Sequence, residues 1–170
     1  MSGILMWTAF IIAFAVTAAL ADARDRIIPR QLTLAGFGAG LLYHAFFGGF
    51  VSSLATAGLG LGLGLGLYEL RAIGGGDVKL VTALGAMLGF HHWIIALEVA
   101  IAIAGVMALI GVVRRGVLLQ TFRNIGRLLK HFFHNGLQPH PEIQVNNNAL
   151  VRIPFGVAAA AGTVVAFVLK

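Results

Sequence analysis

The segment GLGLGLGLGL, residues 58–67, decides the fold class. Its glycines and leucines alternate with period two, which in a water-soluble protein favours a β-strand. The segment lies inside an uncharged run, residues 31–68, that is long enough to enter a lipid bilayer. A single strand cannot cross lipid, because its backbone N–H and C=O groups would have no partners. The segment is therefore predicted to be helical.

In a helix, these glycines form two stripes that repeat every four residues. One stripe contains Gly58, Gly62 and Gly66, and the other contains Gly60 and Gly64. Small residues at this spacing let membrane helices approach one another closely. The glycines are interpreted as packing positions and not as a catalytic feature.

Composition excludes an ordinary soluble domain. The chain has 170 residues, of which 59% are hydrophobic and 11% are charged, and its mean hydropathy is +0.93. A soluble domain of this size carries more polar surface. The charges are clustered, and they leave four long runs with at most one charge each. These runs are residues 2–21, 31–68, 80–113 and 153–169.

The lengths of these runs predict an all-α polytopic membrane protein that forms a single domain, residues 1–170. A membrane helix needs about 20 apolar residues, so the outer runs hold one crossing each and the middle runs hold two each. The segments HAFFGGF (44–50) and GFHHW (89–93) divide the middle runs. The predicted helices are residues 3–21, 31–47, 50–69, 78–91, 93–113 and 152–169.

The distribution of lysine and arginine predicts the orientation. Of the 12 such residues, all but Lys170 follow the first, third or fifth predicted helix. The positive-inside rule makes that face cytoplasmic and places the N-terminus outside. The basic pI of about 10.9 therefore reflects membrane topology, and no nucleic-acid partner is expected.

Residues 117–134, VLLQTFRNIGRLLKHFFH, are predicted to form a basic amphipathic helix on the inner leaflet. The alternative is a helix packed on the cytoplasmic ends of the membrane helices. The polar segment 135–149 is expected to be a connecting loop. The apolar face consists of Leu118, Phe122, Ile125, Leu129 and Phe132, and the basic positions are Arg123, Arg127, Lys130 and His134.

The chain has no cysteine, which excludes disulfides, zinc-thiolate sites and a cysteine nucleophile. His91 and His92 are adjacent, so on a helix they point apart and do not favour a metal site. Glu98 lies within the fifth predicted helix, where it could form a polar pair with these histidines. Glu69 could support an active site from the end of the third helix. No metal and no cofactor are expected.

Two aspartates are predicted to lie at the same membrane depth. Asp22 ends the first helix, and Asp77 begins the fourth, which runs in the opposite direction. Two close carboxylates share a proton, so one can act as general base on a water while the other acts as general acid. The alternatives are that Asp77 is only the N-cap of its helix, and that Asp22 is a solvated residue paired with Arg24 or Arg26.

Three glycines, Gly74, Gly75 and Gly76, precede Asp77 in the segment AIGGGDVKL, residues 72–80. Glycine can adopt backbone conformations that other residues cannot. It also leaves room for another backbone to approach closely. Both properties suit a loop that would hold a peptide substrate beside the carboxylates.

Three segments together resemble a known family, the type IV prepilin peptidases, which are membrane aspartyl proteases of the G-x-G-D type. GGGDVKL contains Gly74, Gly76, Asp77 and Lys79. ADARDRIIPRQLT contains Asp22 seven residues before Pro29, followed by Leu32 and Thr33. RIPFGVAAAAG, residues 152–162, resembles the late Ile-Pro-Phe-Gly segment of the family.

The resemblance implies that Asp22 and Asp77 are the catalytic aspartates, with Asp25 as a rival for the first role. Gly74, Gly75, Gly76, Lys79 and Pro29 would then support the active site. The implied activity is removal of the basic leader from prepilins or pseudopilins at the cytoplasmic face of the bacterial inner membrane.

Two departures from the family pattern refine this interpretation. Arg30 stands where asparagine or aspartate is common, and the cysteine-containing cytoplasmic domain of the long members is absent. The chain therefore resembles the short, peptidase-only branch that serves tight-adherence (Flp) pili, and no methyltransferase activity or S-adenosylmethionine site is expected. Two other functions stay open, a small proton- or ion-coupled transporter and a non-enzymatic assembly subunit.

Overall fold

The computed structural model describes residues 2–136, 138 and 153–169, and this part of the chain is helical without any strand. The predicted all-α class is confirmed. The predicted loop at 135–149 lies almost entirely outside the described residues. The helices are α1 (Ser2–Asp25), α2 (Arg30–Phe47), α3 (Phe50–Glu69), α4 (Gly75–Arg114), α5 (Leu118–Asn135) and α6 (Phe155–Val168).

The alternating Gly-Leu segment lies within α3, as predicted. Only one of its two glycine stripes packs against another described helix. A Cβ at Gly64 would lie 2.9 Å from Cγ1 of Val78, and one at Gly60 would lie 3.1 Å from the carbonyl oxygen of Val81. The other stripe was also predicted to pack, and for the described residues this prediction is wrong. No described residue would lie within 4 Å of a Cβ added to any glycine of that stripe. The open glycines are Gly58, Gly62 and Gly66.

Helix α4 reverses direction at Gly89, whose φ of 67° and ψ of 171° are not helical. The indole Nε1 of Trp93 donates a hydrogen bond to the carbonyl oxygen of Val81 at 3.1 Å. In a continuous helix these two residues would be about 18 Å apart along the axis. Two antiparallel halves therefore make up α4, residues 75–88 and 90–114. The break at Gly89 lies within the segment 89–93 that was predicted to divide this run, although the first half ends at 88 and not at 91, and α4 begins at Gly75 and not at 78.

The turn at Gly89 frees carbonyl groups in the last turn of the first half, and neighbouring helices compensate. The Ser53 hydroxyl of α3, which is fully buried, donates a hydrogen bond to the carbonyl oxygen of Ala86 at 2.7 Å. Such a partner is needed because lipid offers none. Gly40 of α2 meets the same residue, since a Cβ there would lie 2.6 Å from the Ala86 carbonyl carbon. Both helices therefore contact α4 at the level of its break.

Helix α4 is the centre of the bundle and packs against α2, α3 and α6. Helix α1 packs mainly on α6, and its direct contact with α4 is small. Gly162 of α6 faces the backbone of Ala96 and Ala100 in the second half of α4. The last helix therefore connects the first helix to the central one.

Two helices are shorter than the thickness of a bilayer. By length and composition, α1, α3 and α4, the last counted over its whole length, could cross a membrane. Helix α6 is a shorter apolar helix. It begins at Phe155 and not at the predicted 152. The first half of α4 and α6 have 14 residues each, or about 21 Å, against roughly 30 Å of hydrocarbon. The rings of His92 and Phe167 are 5.3 Å apart, so the two short helices end at the same level.

Helix α5 is amphipathic and, among the described helices, contacts only α4. Its apolar side chains are largely uncovered, with Phe122 68% and Phe133 88% exposed. Arg123, Arg127 and Lys130 are exposed as well, and α5 contains no acidic residue. This arrangement fits the predicted position on a membrane surface better than the alternative of packing on the helix ends.

A probe at Phe122 is expected to be buried in lipid, and one at Arg127 is expected to face water. Because the chain has no cysteine, Phe122→Cys and Arg127→Cys can each carry a single environment-sensitive fluorophore in the full chain. After reconstitution into bilayers with anionic lipid, the first probe should emit at shorter wavelength and resist an aqueous quencher. Equal quenching at the two positions would contradict the membrane-surface position of α5.

Candidate functional site

Asp22 lies near the end of α1 and is almost completely buried, with 7% of its surface exposed. Its Oδ2 accepts a hydrogen bond of 2.6 Å from the backbone N–H of Gly156, the second residue of α6. The first N–H groups of a helix have no partner within the helix. A carboxylate at the C-terminus of its own helix is electrostatically unfavourable, but the positive N-terminal end of α6 compensates. The alternative of Asp22 as a solvated surface residue is therefore wrong.

Glycine is required at position 156 because α1 and α6 are in direct contact there. A Cβ at Gly156 would lie 2.9 Å from Cβ of Asp22 and 3.3 Å from the carbonyl oxygen of Ala18. The segment RIPFGVAAAAG contains Gly156, but its resemblance to the family indicated no role for this residue. The segment itself, with Pro154 at the N-cap of α6, was the available signal.

Asp77 lies in the first turn of α4, as the third helical residue. Gly74, and not Asp77, occupies the N-cap position, and its N–H donates a hydrogen bond of 3.2 Å to Oδ2 of Asp77. This is the acidic half of a capping box, in which a side chain in the first turn reaches back to the cap. The alternative of Asp77 as the N-cap itself is therefore wrong, although the side chain does take part in capping.

The three glycines before Asp77 do not adopt a backbone conformation reserved for glycine. Gly74 has a φ of −81°, Gly75 and Gly76 are helical, and none of the three has a positive φ. That expectation is wrong. Their neighbours also leave ordinary space, since a Cβ at Gly76 would lie 3.5 Å from Cβ of Ile28. The start of α4 therefore lacks side chains at three successive positions. Neither the backbone conformation nor the space around these positions requires glycine.

The structure brings the end of α1 and the start of α4 to the same end of the bundle. Ile28, buried in the turn that follows α1, lies against Gly76, which precedes Asp77. Helix α6 packs against both α1 and α4, and so it supports this arrangement.

Asp25, the rival of Asp22, is on the surface. Its side chain is 64% exposed and lies 3.9 Å from Nε of Arg24. Arg26 follows α1 in the left-handed backbone conformation, with a φ of 54°. Its N–H donates a hydrogen bond of 3.0 Å to the backbone carbonyl oxygen of Asp22, and so α1 ends in a left-handed C-cap. Asp22 is thus the buried acid of the pair.

The other candidates are exposed, unlike Asp22. Pro29 is exposed at the N-cap of α2, and Lys79 is exposed on the first turns of α4. Glu98 is exposed on the second half of α4. Asp22, Asp77 and the glycines before Asp77 therefore remain the candidates for the centre of the site.

These features define an all-helical membrane protein with two acidic side chains at one end of its bundle. A family model described as the type IV leader peptidase family matches residues 9–109, which is more than half of the chain and includes both aspartates. The chain belongs to the type IV leader peptidase family, and it is a protease of that general kind. No curated protein and no solved structure matches it.

Removing the Asp22 carboxylate is expected to weaken the attachment of α6. The substitution Asp22→Ala should lower the free energy of unfolding by about 1–2 kcal/mol, because it removes the partner of an N-terminal N–H group. Asp25→Ala is the matched control and should change it by less than about 0.5 kcal/mol, since its ion pair is exposed. Thermal unfolding of both variants in the same detergent measures the difference. Equal losses would show that the bond to Gly156 adds no stability.

Proposed function

We propose that this protein is an aspartic-type membrane endopeptidase that removes the basic leader from type IV or Flp prepilins at the cytoplasmic face of the inner membrane. Family membership supports the leader peptidase activity. The observation that carries the aspartic mechanism is the contact of Ile28 with Gly76, which holds the ends bearing Asp22 and Asp77 together. The excess of lysine and arginine on the same side supports the cytoplasmic orientation.

Two neighbouring carboxylates can hydrolyse a peptide bond without a metal or a nucleophilic side chain. The ionised one takes a proton from a water molecule, and the oxygen of that water attacks the scissile carbonyl carbon. The protonated one gives its proton to the carbonyl oxygen, which forms a gem-diol. When the C–N bond breaks, the leaving amine receives the first proton and one diol hydroxyl returns its proton to the second carboxylate. The pair ends in its starting state.

The bare backbone at Gly74, Gly75 and Gly76 suits an extended peptide substrate. The three glycines themselves present no side chain to a substrate strand that approaches beside Ile28 and Tyr68, and the carboxylate of Asp77 follows directly. Neither backbone strain nor packing accounts for these glycines, which supports a role in substrate approach. The turn between α1 and α2 is only residues 26–29, so it leaves no room there for a second catalytic domain. This supports the peptidase-only assignment, without methyltransferase activity.

Replacement of either aspartate is expected to abolish cleavage. Asp22→Asn and Asp77→Asn should each lower the rate of leader removal by at least about a thousandfold, because each carboxylate has its own proton to move. The assay is co-expression with a candidate Flp-type prepilin, followed by measurement of the shift in pilin mass. Asp25→Asn, one turn away on the surface, is the matched control and should leave cleavage intact.

Two outcomes would contradict the proposal. Cleavage that survives in either asparagine variant would remove that residue from the mechanism. Failure of the wild-type chain to process any prepilin of this type would favour a transporter or an assembly subunit instead.

The substitution Gly76→Ala is expected to separate stability from activity. The added methyl group fits beside Ile28 and should stabilise the helix by about 0.5–1 kcal/mol. It should nevertheless lower leader cleavage by about tenfold or more, because it obstructs the approach of the substrate backbone. Gly62→Ala on the open face of α3 is the control, with the same helix effect and unchanged cleavage. Full cleavage by Gly76→Ala would remove these glycines from substrate binding.

A further inference from the structure

The two carboxylates of the site are held by different hydrogen bonds. Oδ2 of Asp22 accepts a bond of 2.6 Å from Gly156, which belongs to another helix. Oδ2 of Asp77 accepts a bond of 3.2 Å from Gly74, the N-cap of its own helix. Short N–H···O bonds are characteristic of ionised acceptors. The difference therefore distinguishes the protonation roles of the two acids.

Burial takes Asp22 out of water and so disfavours its charge, and the start of α6 opposes that cost. The N-terminus of α6 directs the positive end of its dipole at the carboxylate. Residues 153–169, which include all of α6, carry no charged side chain. Asp77 also lies at a helix N-terminus, so the length of the hydrogen bond, 2.6 Å at Asp22 against 3.2 Å at Asp77, is the observation that assigns the shared proton to Asp77.

We infer that Gly156 is a positioning residue whose backbone N–H holds Asp22 in the ionised state, so that Asp22 is the general base and Asp77 the proton donor. This inference rests on the proposed function and adds the assignment of roles within it. Asp22 takes the proton of the attacking water and later gives it to the leaving amine. Asp77 gives its proton to the scissile carbonyl oxygen and recovers one when the gem-diol collapses.

Position 156 allows the hydrogen bond to be removed without disturbing the helix. Gly156 is the second residue of α6, and the N–H of such a residue has no partner within its own helix. Replacing this N–H by an ester oxygen therefore removes the hydrogen bond to Asp22 and no N–H bond within α6. Glycolic acid at position 156, introduced by cell-free nonsense suppression into the full chain in lipid nanodiscs, makes this change without adding an atom near Asp22. By contrast, Gly156→Ala keeps the N–H and adds a methyl group that Asp22 has no room for.

The experiment measures kcat and KM for the prepilin that the wild-type chain processes. The ester at 156 should lower kcat by about tenfold or more, the expected effect of a lost bond to a charged group. KM should be unchanged, because the N–H of Gly156 is bonded to Asp22 and is not free to bind substrate. The ester at Gly74 should lower kcat less, because its acceptor, Asp77, is the protonated acid. An ester at Gly162, which breaks an internal bond of α6, should leave kcat unchanged and reports any purely structural effect.

Three results would overturn the inference while leaving the proposed function intact. These are an unchanged kcat for the 156 ester, an equal loss for the 162 ester, and a larger loss for the 74 ester than for the 156 ester. The last result would make Asp77 the ionised acid. If the proposed function itself failed, the wild-type protein would not process the prepilin. Wild type and Asp22→Asn would then show the same absence of cleavage.

Discussion

Close backbone contact at glycines holds the first half of α4 in place, and the rest of the bundle is arranged around it. Lipid tails are as apolar as the side chains of membrane helices, so moving a side chain from lipid into a helix interface releases little free energy. Membrane helices therefore associate through close packing and hydrogen bonds between helices. Gly40 of α2 meets the backbone at Ala86, and Gly64 of α3 meets Val78. Because Val78 directly follows Asp77, the second contact sets the depth of that carboxylate.

Much of the architecture could be predicted because it follows from local properties of the chain. Charge-free runs indicated the helices, and the need to satisfy the backbone in lipid decided against a strand at residues 58–67. The common level of Asp22 and Asp77 followed from the alternating direction of successive helices. These inferences needed no knowledge of which helices are neighbours.

The errors concern features that depend on neighbours. The hydrogen bond of Asp22 to Gly156 joins residues 134 positions apart, and no local pattern indicates such a pair. Both glycine stripes of α3 have the same spacing, and only the position of α4 decides which one is packed. The glycines before Asp77 indicated a special conformation, although the chain continues there as an ordinary helix from Gly75.

The bond between the first and last helices also has a consequence for biosynthesis. Helices enter the membrane in the order in which they are synthesised, so Asp22 enters with α1 and its partner at position 156 enters later, with α6. Until α6 arrives, the buried carboxylate lacks the N–H group that stabilises it. A chain synthesised only as far as α5 thus contains both aspartates without the hydrogen bond that joins α1 to α6.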